Sequence, residues 1–211
     1  MRLNLRNKRK KRLPARVKAP LACPVGPNMT WSLDFMHDTL ASGKPIRTLN
    51  ILDDFSREAL SITVDTSLPA QRVIRELEKL RQWRGKPQKI RSDNGPEFVA
   101  EAMREWCEKN GVEWEFIQPG KPTQNSLIER FNRTFRQDVL DSYQFDNLPQ
   151  MRKYVQAWVW MYNNERPHSA LGRLTPTEFL LQYGKLSEFP ILQQDKNEKV
   201  NWNYLVLNVA N

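Results

Sequence analysis

The sequence is poor in the residues that build metal cages, disulfide frameworks and nucleophilic triads. Its two cysteines, Cys23 and Cys107, have neither metal-ligand spacing nor a framework pattern. A reduced, cytosolic protein without a structural zinc site is therefore expected. Only two histidines are present, His37 and His168, and no Ser–His or Cys–His arrangement is evident. The glycines number eight and form no phosphate-cradling loop, so no nucleotide cofactor is expected. No apolar run approaches the ~18–20 residues that cross a membrane. The basic N-terminus has no apolar stretch behind it, which argues against a secretory signal.

What the chain does have is positive charge, concentrated at one end. Nine of its 33 Lys and Arg residues lie within residues 1–18, which contain no acid. The remaining 24 basic residues balance the 24 acidic ones, so the whole net charge of +9 belongs to this arm. Such a segment is either a solvated tail or a strand that lies along a polyanion, with Lys8, Arg9, Lys10, Lys11 and Arg12 as its densest run. Four prolines between positions 14 and 27 extend it as a linker.

Beyond the arm the hydrophobic period is 2, then mixed. The stretch WSLDFM sets Trp31, Leu33 and Phe35 on one side and Ser32, Asp34 and Met36 on the other. Residues 46–54 and 59–65 follow as strands, giving a three-stranded antiparallel meander. Residues 69–85 change to helical spacing, with Val73, Ile74, Leu77 and Leu80 on one face, Pro69 at the start and Gly85 at the stop. A short strand (88–92), a helix (96–111) opened by Pro96, a strand (112–117) and two helices (126–143 and 148–163) complete the order. The expected fold is α/β: a mixed five-stranded sheet, three antiparallel strands then strands joined by helices, flanked by helices. Residues 189–211 are polar, then strand-like, and fit no element of this scheme.

Three carboxylates occupy informative places. Asp34 lies within an otherwise apolar strand, which is unfavourable unless the acid is solvated, paired or bound to a cation. Asp93 ends a later strand, where Asn94-Gly95 turns the chain. Glu129 lies in the first turn of the third helix, opposite Leu127, Ile128, Phe131, Phe135 and Val139, on the side shared by Asn132, Arg133 and Arg136. Each has a plainer reading: an edge-strand acid for Asp34, a turn residue for Asp93, a capping box with Ser126 for Glu129. Glu97 reads as a first-turn helix acid, and His37 and Asp38 as the end of a strand. Between Asp93 and Glu129 lie 35 residues, room for one helix, one strand and one loop. That is enough to bring a helix N-terminus back to the strand end. Three hard oxygen donors near one point suit Mg²⁺ or Mn²⁺. A pair of such ions, about 4 Å apart, serves phosphoryl transfer.

The segments WSLDF, RSDNGPEF and PGKPTQNSLIERFNRTFR, followed by YNNERPHSALGRLTPTEF, resemble the integrase-core transposases of bacterial insertion sequences. The closest group is the insertion-sequence-3 family, second-frame product, and the resemblance covers about residues 29–181. It implies a ribonuclease-H-like fold and a DDE triad of Asp34, Asp93 and Glu129 that holds two divalent ions, Mg²⁺ or Mn²⁺. It also implies metal-dependent cleavage of double-stranded DNA at element ends and strand transfer into a target, by a homo-oligomer on DNA. Arg136, seven residues after the Glu, is implied to meet a DNA phosphate or base. Arg133, Asn132, Lys121, Gln124 and Asn125 are further candidates for DNA contact, and His168 is expected only to pack beside the fourth helix. The division expected is an arm (1–28), a catalytic core (29–181) and a tail (182–211), with a bacterial cytoplasmic location, on the nucleoid when DNA is bound. Such transposases usually carry an upstream helix-turn-helix region, and the chain starts inside what resembles the linker after it. Two other readings remain: a truncated, non-catalytic DNA-binding remnant, and a cellular nuclease of the same fold.

Overall fold

The computed structural model describes residues 24–93, 95, 98, 101–117 and 125–184. Five strands make one sheet: β1 (Thr30–Thr39), β2 (Pro45–Asp53), β3 (Ala59–Asp65), β4 (Lys89–Ser92) and β5 (Glu113–Phe116). Their spatial order is β3-β2-β1-β4-β5. The β1–β2 and β2–β3 pairs are antiparallel, and β1–β4 and β4–β5 are parallel. The mixed sheet read from the alternation is therefore present, and β1 lies at its centre rather than at an edge.

Period-2 burial assigns each face of β1 its own core. Trp31 and Leu33 pack with Leu49, Ile51 and Ile90 beneath helix α1 (Ala70–Arg84) and helix α2 (Glu101–Asn110). The residues Val73, Leu77 and Leu80 form the buried stripe of α1, spaced so that they share one helix face. Gly85 ends α1 at φ 85°, a left-handed conformation that glycine adopts without a Cβ penalty. On the opposite face Met36, Ile46, Leu52 and Val64 meet helix α3 (Ser126–Phe135) and helix α4 (Leu148–Asn164). Here Phe131, Phe135, Trp158 and Tyr162 interlock, with ring centroids 5.0–5.6 Å apart. The result is three layers, helices on both faces of the sheet.

Three details depart from the periodicity. Phe98, fully buried, sits in a turn with its N–H donating to the Gly95 carbonyl, and of the helix expected over 96–111 the described part is α2, while Pro96, Glu97, Val99 and Ala100 lie outside the described residues. The third helix does not run regularly to residue 143. It becomes a π-helical turn over Arg136–Leu140, closed by the Asp141 N–H donating to the Arg136 carbonyl at 2.8 Å. This turn keeps Val139 in the core while Asp138 accepts from the Trp158 indole at 3.1 Å. Finally, a 3₁₀ turn (Ser169–Leu171) leads to a short helix α5 (Pro176–Tyr183), opened by a Thr175/Glu178 capping box.

Candidate active site

Asp34 is placed by the strand pairing. It sits on the central strand opposite Asn50 of β2, on the face that carries α3. Parallel pairing of β1 with β4 runs through Ser32 and Arg91. Two residues further on, that register brings Asp93 level with Asp34, just where β4 ends. A buried network anchors this end of the sheet. Arg91, 7% exposed, reaches Asp54 at 2.8 Å and Glu115 of β5 at 3.2 Å, and the Ser32 hydroxyl donates to Asp54 at 2.6 Å. Burial raises the Asp54 carboxyl to about 6, opposed by Ser32 and then by Arg91. The pair is thus costly to desolvate and strongly disrupted if one partner is lost.

Asp93 itself is exposed, and its Oδ1 accepts from the Gly95 N–H at 3.0 Å. The turn reading and the open carboxylate are both realised. Glu129 projects from the first turn of α3 and is exposed. Its capping-box alternative is not formed: Asn125 is the N-cap, and no side chain caps this end.

One helical turn after Glu129, Asn132 reaches the central acid. Its Nδ2 donates to Asp34 Oδ2 at 2.7 Å, and its Oδ1 accepts from Asn50 Nδ2 at 2.7 Å. The Phe35 N–H donates to Asp34 Oδ1 at 2.9 Å. The helix thereby fixes Asp34 on the strand, and Asn132 is 8% exposed. Both ends of its amide are engaged inside the protein, on Asp34 and Asn50. Sequence reasoning placed it on the polar side of the helix and missed this role. The signal available was an Asn three residues after the Glu, on the same face.

Burial pushes the Asp34 carboxyl up to about 6. The charges of Asp93 and Glu129 raise it further, while hydrogen bonds from Phe35 and Asn132 oppose the rise. The three acids are therefore close enough to repel. Among the described residues, no group of three or more His, Cys, Asp or Glu forms a ready-made metal cage. The chemistry of the donors nevertheless fits a hard divalent cation: three carboxylates, one half-buried and destabilised by the other two.

The remaining candidates scatter. Arg136 donates to the His37 carbonyl at 2.9 Å and lies 3.6 Å from Asp38 and 3.7 Å from Asp141, so it braces the end of β1. Arg133 is exposed, with no ion pair among the described residues. Asn125 is buried at the start of α3. Lys121, Gln124 and the arm residues Lys8 to Arg12 lie outside the described residues. His168 packs edge-on against Tyr162 of α4 at 4.8 Å, the packing expected of it.

Comparison with known proteins decides the family. A family model described as Integrase core domain matches residues 24–122, and a second with the same description matches residues 110–176. The chain is 39% identical over 193 residues to the insertion element IS407 uncharacterized 31.7 kDa protein of Burkholderia multivorans, covering 92% of this chain and 70% of that one. The chain belongs to the integrase-core family of insertion-element proteins. The IS476 uncharacterized 39.2 kDa protein of Xanthomonas euvesicatoria is 40% identical over 181 residues, 86% of this integrase core and 52% of its own length. The HTLV-2 integrase catalytic core domain, solved in complex with magnesium in a trimeric form, superposes with a TM-score of 0.58 at 21% identity. That match covers 74% of this chain and 97% of the other, and it shows the retroviral-integrase, ribonuclease-H-like fold.

Proposed function

We propose that this integrase core cuts phosphodiester bonds at the ends of its insertion element and joins the exposed ends to target DNA. The observation that carries the reading is Asp34, raised to about 6 between Asp93 and Glu129 and held in place by Asn132. Repelling carboxylates maintained at a sheet end are an arrangement that a divalent cation relieves. Asp34, Asp93 and Glu129 would hold Mg²⁺ or Mn²⁺, as a pair of ions in the reading from sequence. When bound, such ions lower the pKa of an attacking water or hydroxyl and neutralise charge on the leaving oxygen.

The chemistry is two balanced substitutions at phosphorus. In the first, a water oxygen bonds to phosphorus, the P–O3′ bond breaks, and the leaving 3′-oxygen takes up a proton. In the second, that 3′-hydroxyl oxygen bonds to a target phosphorus, loses its proton, and displaces another oxygen. One phosphodiester replaces another, so no ATP is required. The chain's own residues orient Asp34 through Asn132 and the Phe35 N–H. Arg133, Arg136, Asn125, Lys121, Gln124 and the arm (Lys8, Arg9, Lys10, Lys11, Arg12) are proposed to meet double-stranded DNA. Strand transfer of paired ends calls for a homo-oligomer, and the reading keeps the arm (1–28), core (29–181) and tail (182–211) as separate units. The proposed place of action is the bacterial cytoplasm, on the nucleoid. Among the described residues, no helix is long and apolar enough to cross a membrane.

The test incubates the chain with labelled duplex carrying the element's terminal sequence, in Mg²⁺ or Mn²⁺. Nicked and strand-transfer products should form, and Asp93→Asn or excess EDTA should abolish them. Nicking that persists in Asp93→Asn overturns the mechanism. DNA binding without nicking by the wild-type chain marks a non-catalytic remnant instead.

A further inference from the structure

On the side of α3 that carries Leu127, Arg130 and Thr134, turned away from Asn132, lies a pocket of about 190 Å³. Three guanidinium side chains from three separate segments line it: Arg57 from the β2–β3 turn, Arg130 from α3, and Arg166 after α4. Ser169 adds a hydroxyl, the Thr134 hydroxyl donates to the Arg130 carbonyl at 3.1 Å, and the lining contains no carboxylate. The charges converge. Arg166 and Arg57 both act on the His168 imidazole and on the Tyr162 phenol, groups that also line the pocket. Burial first, then Arg166, lowers the His168 pKa, so the imidazole stays neutral and the positive charge is guanidinium alone. Asp138, outside the lining, pairs with Arg166 and offsets part of it. Arg130 is exposed and has no hydrogen-bond or ion-pair partner for its side chain among the described residues.

The turn that carries Arg57 is built to a fixed shape. Asp53 Oδ1 accepts from the N–H groups of Phe55 at 2.9 Å and Ser56 at 3.1 Å. Arg57 itself is held at φ 60°, a conformation that non-glycine residues seldom adopt. Arginine forks match the geometry of phosphate oxygens, and guanidiniums drawn from three segments to one cavity suit an anion there. Arg130 directly follows Glu129 on α3, and its side of the helix faces away from the one on which Asn132 holds Asp34.

We propose that this pocket is a phosphate-binding site that grips the DNA backbone, with Arg57, Arg130 and Arg166 as its donors. The inference rests on the DNA-cutting reading above, because an inorganic anion has the same chemistry.

Binding of the full chain to a short duplex, followed by fluorescence anisotropy in EDTA across a salt series, tests it. Arg130→Gln removes an exposed side chain and should leave the melting temperature unchanged. It should weaken binding about tenfold and reduce the salt slope by about one. Neutral methylphosphonate linkages, placed one at a time, should weaken the wild type at one position where Arg130→Gln shows no further loss. Because the chain has only two histidines, the His168 imidazole signals report on the pocket by NMR, and duplex DNA should shift them. Wild-type affinity and salt slope in Arg130→Gln overturn the phosphate site. A His168 shift with inorganic phosphate but none with DNA makes it a free-anion site and also overturns the proposal. If the wild type binds no DNA at all, both readings fall.

Discussion

Replacing Asp34 with asparagine should stabilise the metal-free protein while destroying its chemistry. The folded carboxyl has its pKa raised from 3.8 to about 6. Between those values the folded state binds more protons than the unfolded one, so stability falls as pH rises through the window. The contribution is fully favourable below about pH 4 and is lost above pH 6. At ~1.36 kcal/mol per unit, ionising Asp34 in the fold costs up to about 3 kcal/mol. Partial solvent access reduces this, so a gain of about 1–2 kcal/mol is expected for Asp34→Asn at pH 7.5. The hydrogen bonds adapt. The new amide nitrogen, where Asp34 has Oδ2, would face the Asn132 amide, which must turn over. Asn132 then donates toward Asn50 Oδ1, an atom with no partner in the wild type. Asn50 turns with it and gives up its contact with the Met36 sulfur at 3.2 Å, a weak interaction. Urea unfolding in EDTA measures the difference at pH 7.5 and at pH 4.5, where it should shrink toward zero. Magnesium should then stabilise the wild type and leave the variant unmoved. A variant less stable than wild type at pH 7.5, or a gain that ignores pH, refutes the reasoning.

Removing the Asn132 amide with Asn132→Ala frees Asp34 and should lower metal affinity or nicking by about 10- to 100-fold, read by Mn²⁺ titration and cleavage rate. Arg91→Met leaves Asp54 buried beside Ser32 without its cation and should destabilise by about 3–5 kcal/mol at neutral pH. Without Arg91 the Asp54 carboxyl is raised above its value of about 6, so urea unfolding should show that loss easing as the pH falls toward 6. Phe135→Ala empties a fully buried site between α3 and Trp158 and should cost about 3–5 kcal/mol, measured by the urea midpoint at unchanged m-value. Arg136→Gln releases the end of β1 but touches none of the acids, so thermal stability should change by less than about 1 kcal/mol.

The sheet was readable because strand residues alternate and helix residues do not. Trp31, Leu33 and Phe35 against Ser32, Asp34 and Met36 already contain both cores. The three acids drew notice for different reasons: Asp34 as a charge inside an apolar strand, Asp93 at a strand end and Glu129 in the first turn of a helix. The buried support beneath them was not readable. Arg91 lies within the strand read over 88–92 and Asp54 at the end of the strand read over 46–54, and neither position marks it as buried. Only the pairing of β1 with β4 shows that they meet. The contact of Asn132 with Asp34 was missed for a related reason: helical periodicity says which residues share a side, not which strand residue that side faces. The π-helical turn has no hydrophobic signature, since one wider turn shifts the stripe only after Val139. The Thr175/Glu178 capping box and the helix α5 that it opens were not read from the sequence, where the stretch served only as part of the motif YNNERPHSALGRLTPTEF.

Mn²⁺ soaked into crystals of the chain, located by its anomalous scattering, tests the central claim most directly. Manganese should bind where Asp34, Asp93 and Glu129 converge, with their oxygens at about 2.1 Å, and Glu129→Gln should lose it. Saturating manganese that leaves those three carboxylates without a metal, or that binds only elsewhere, contradicts the account.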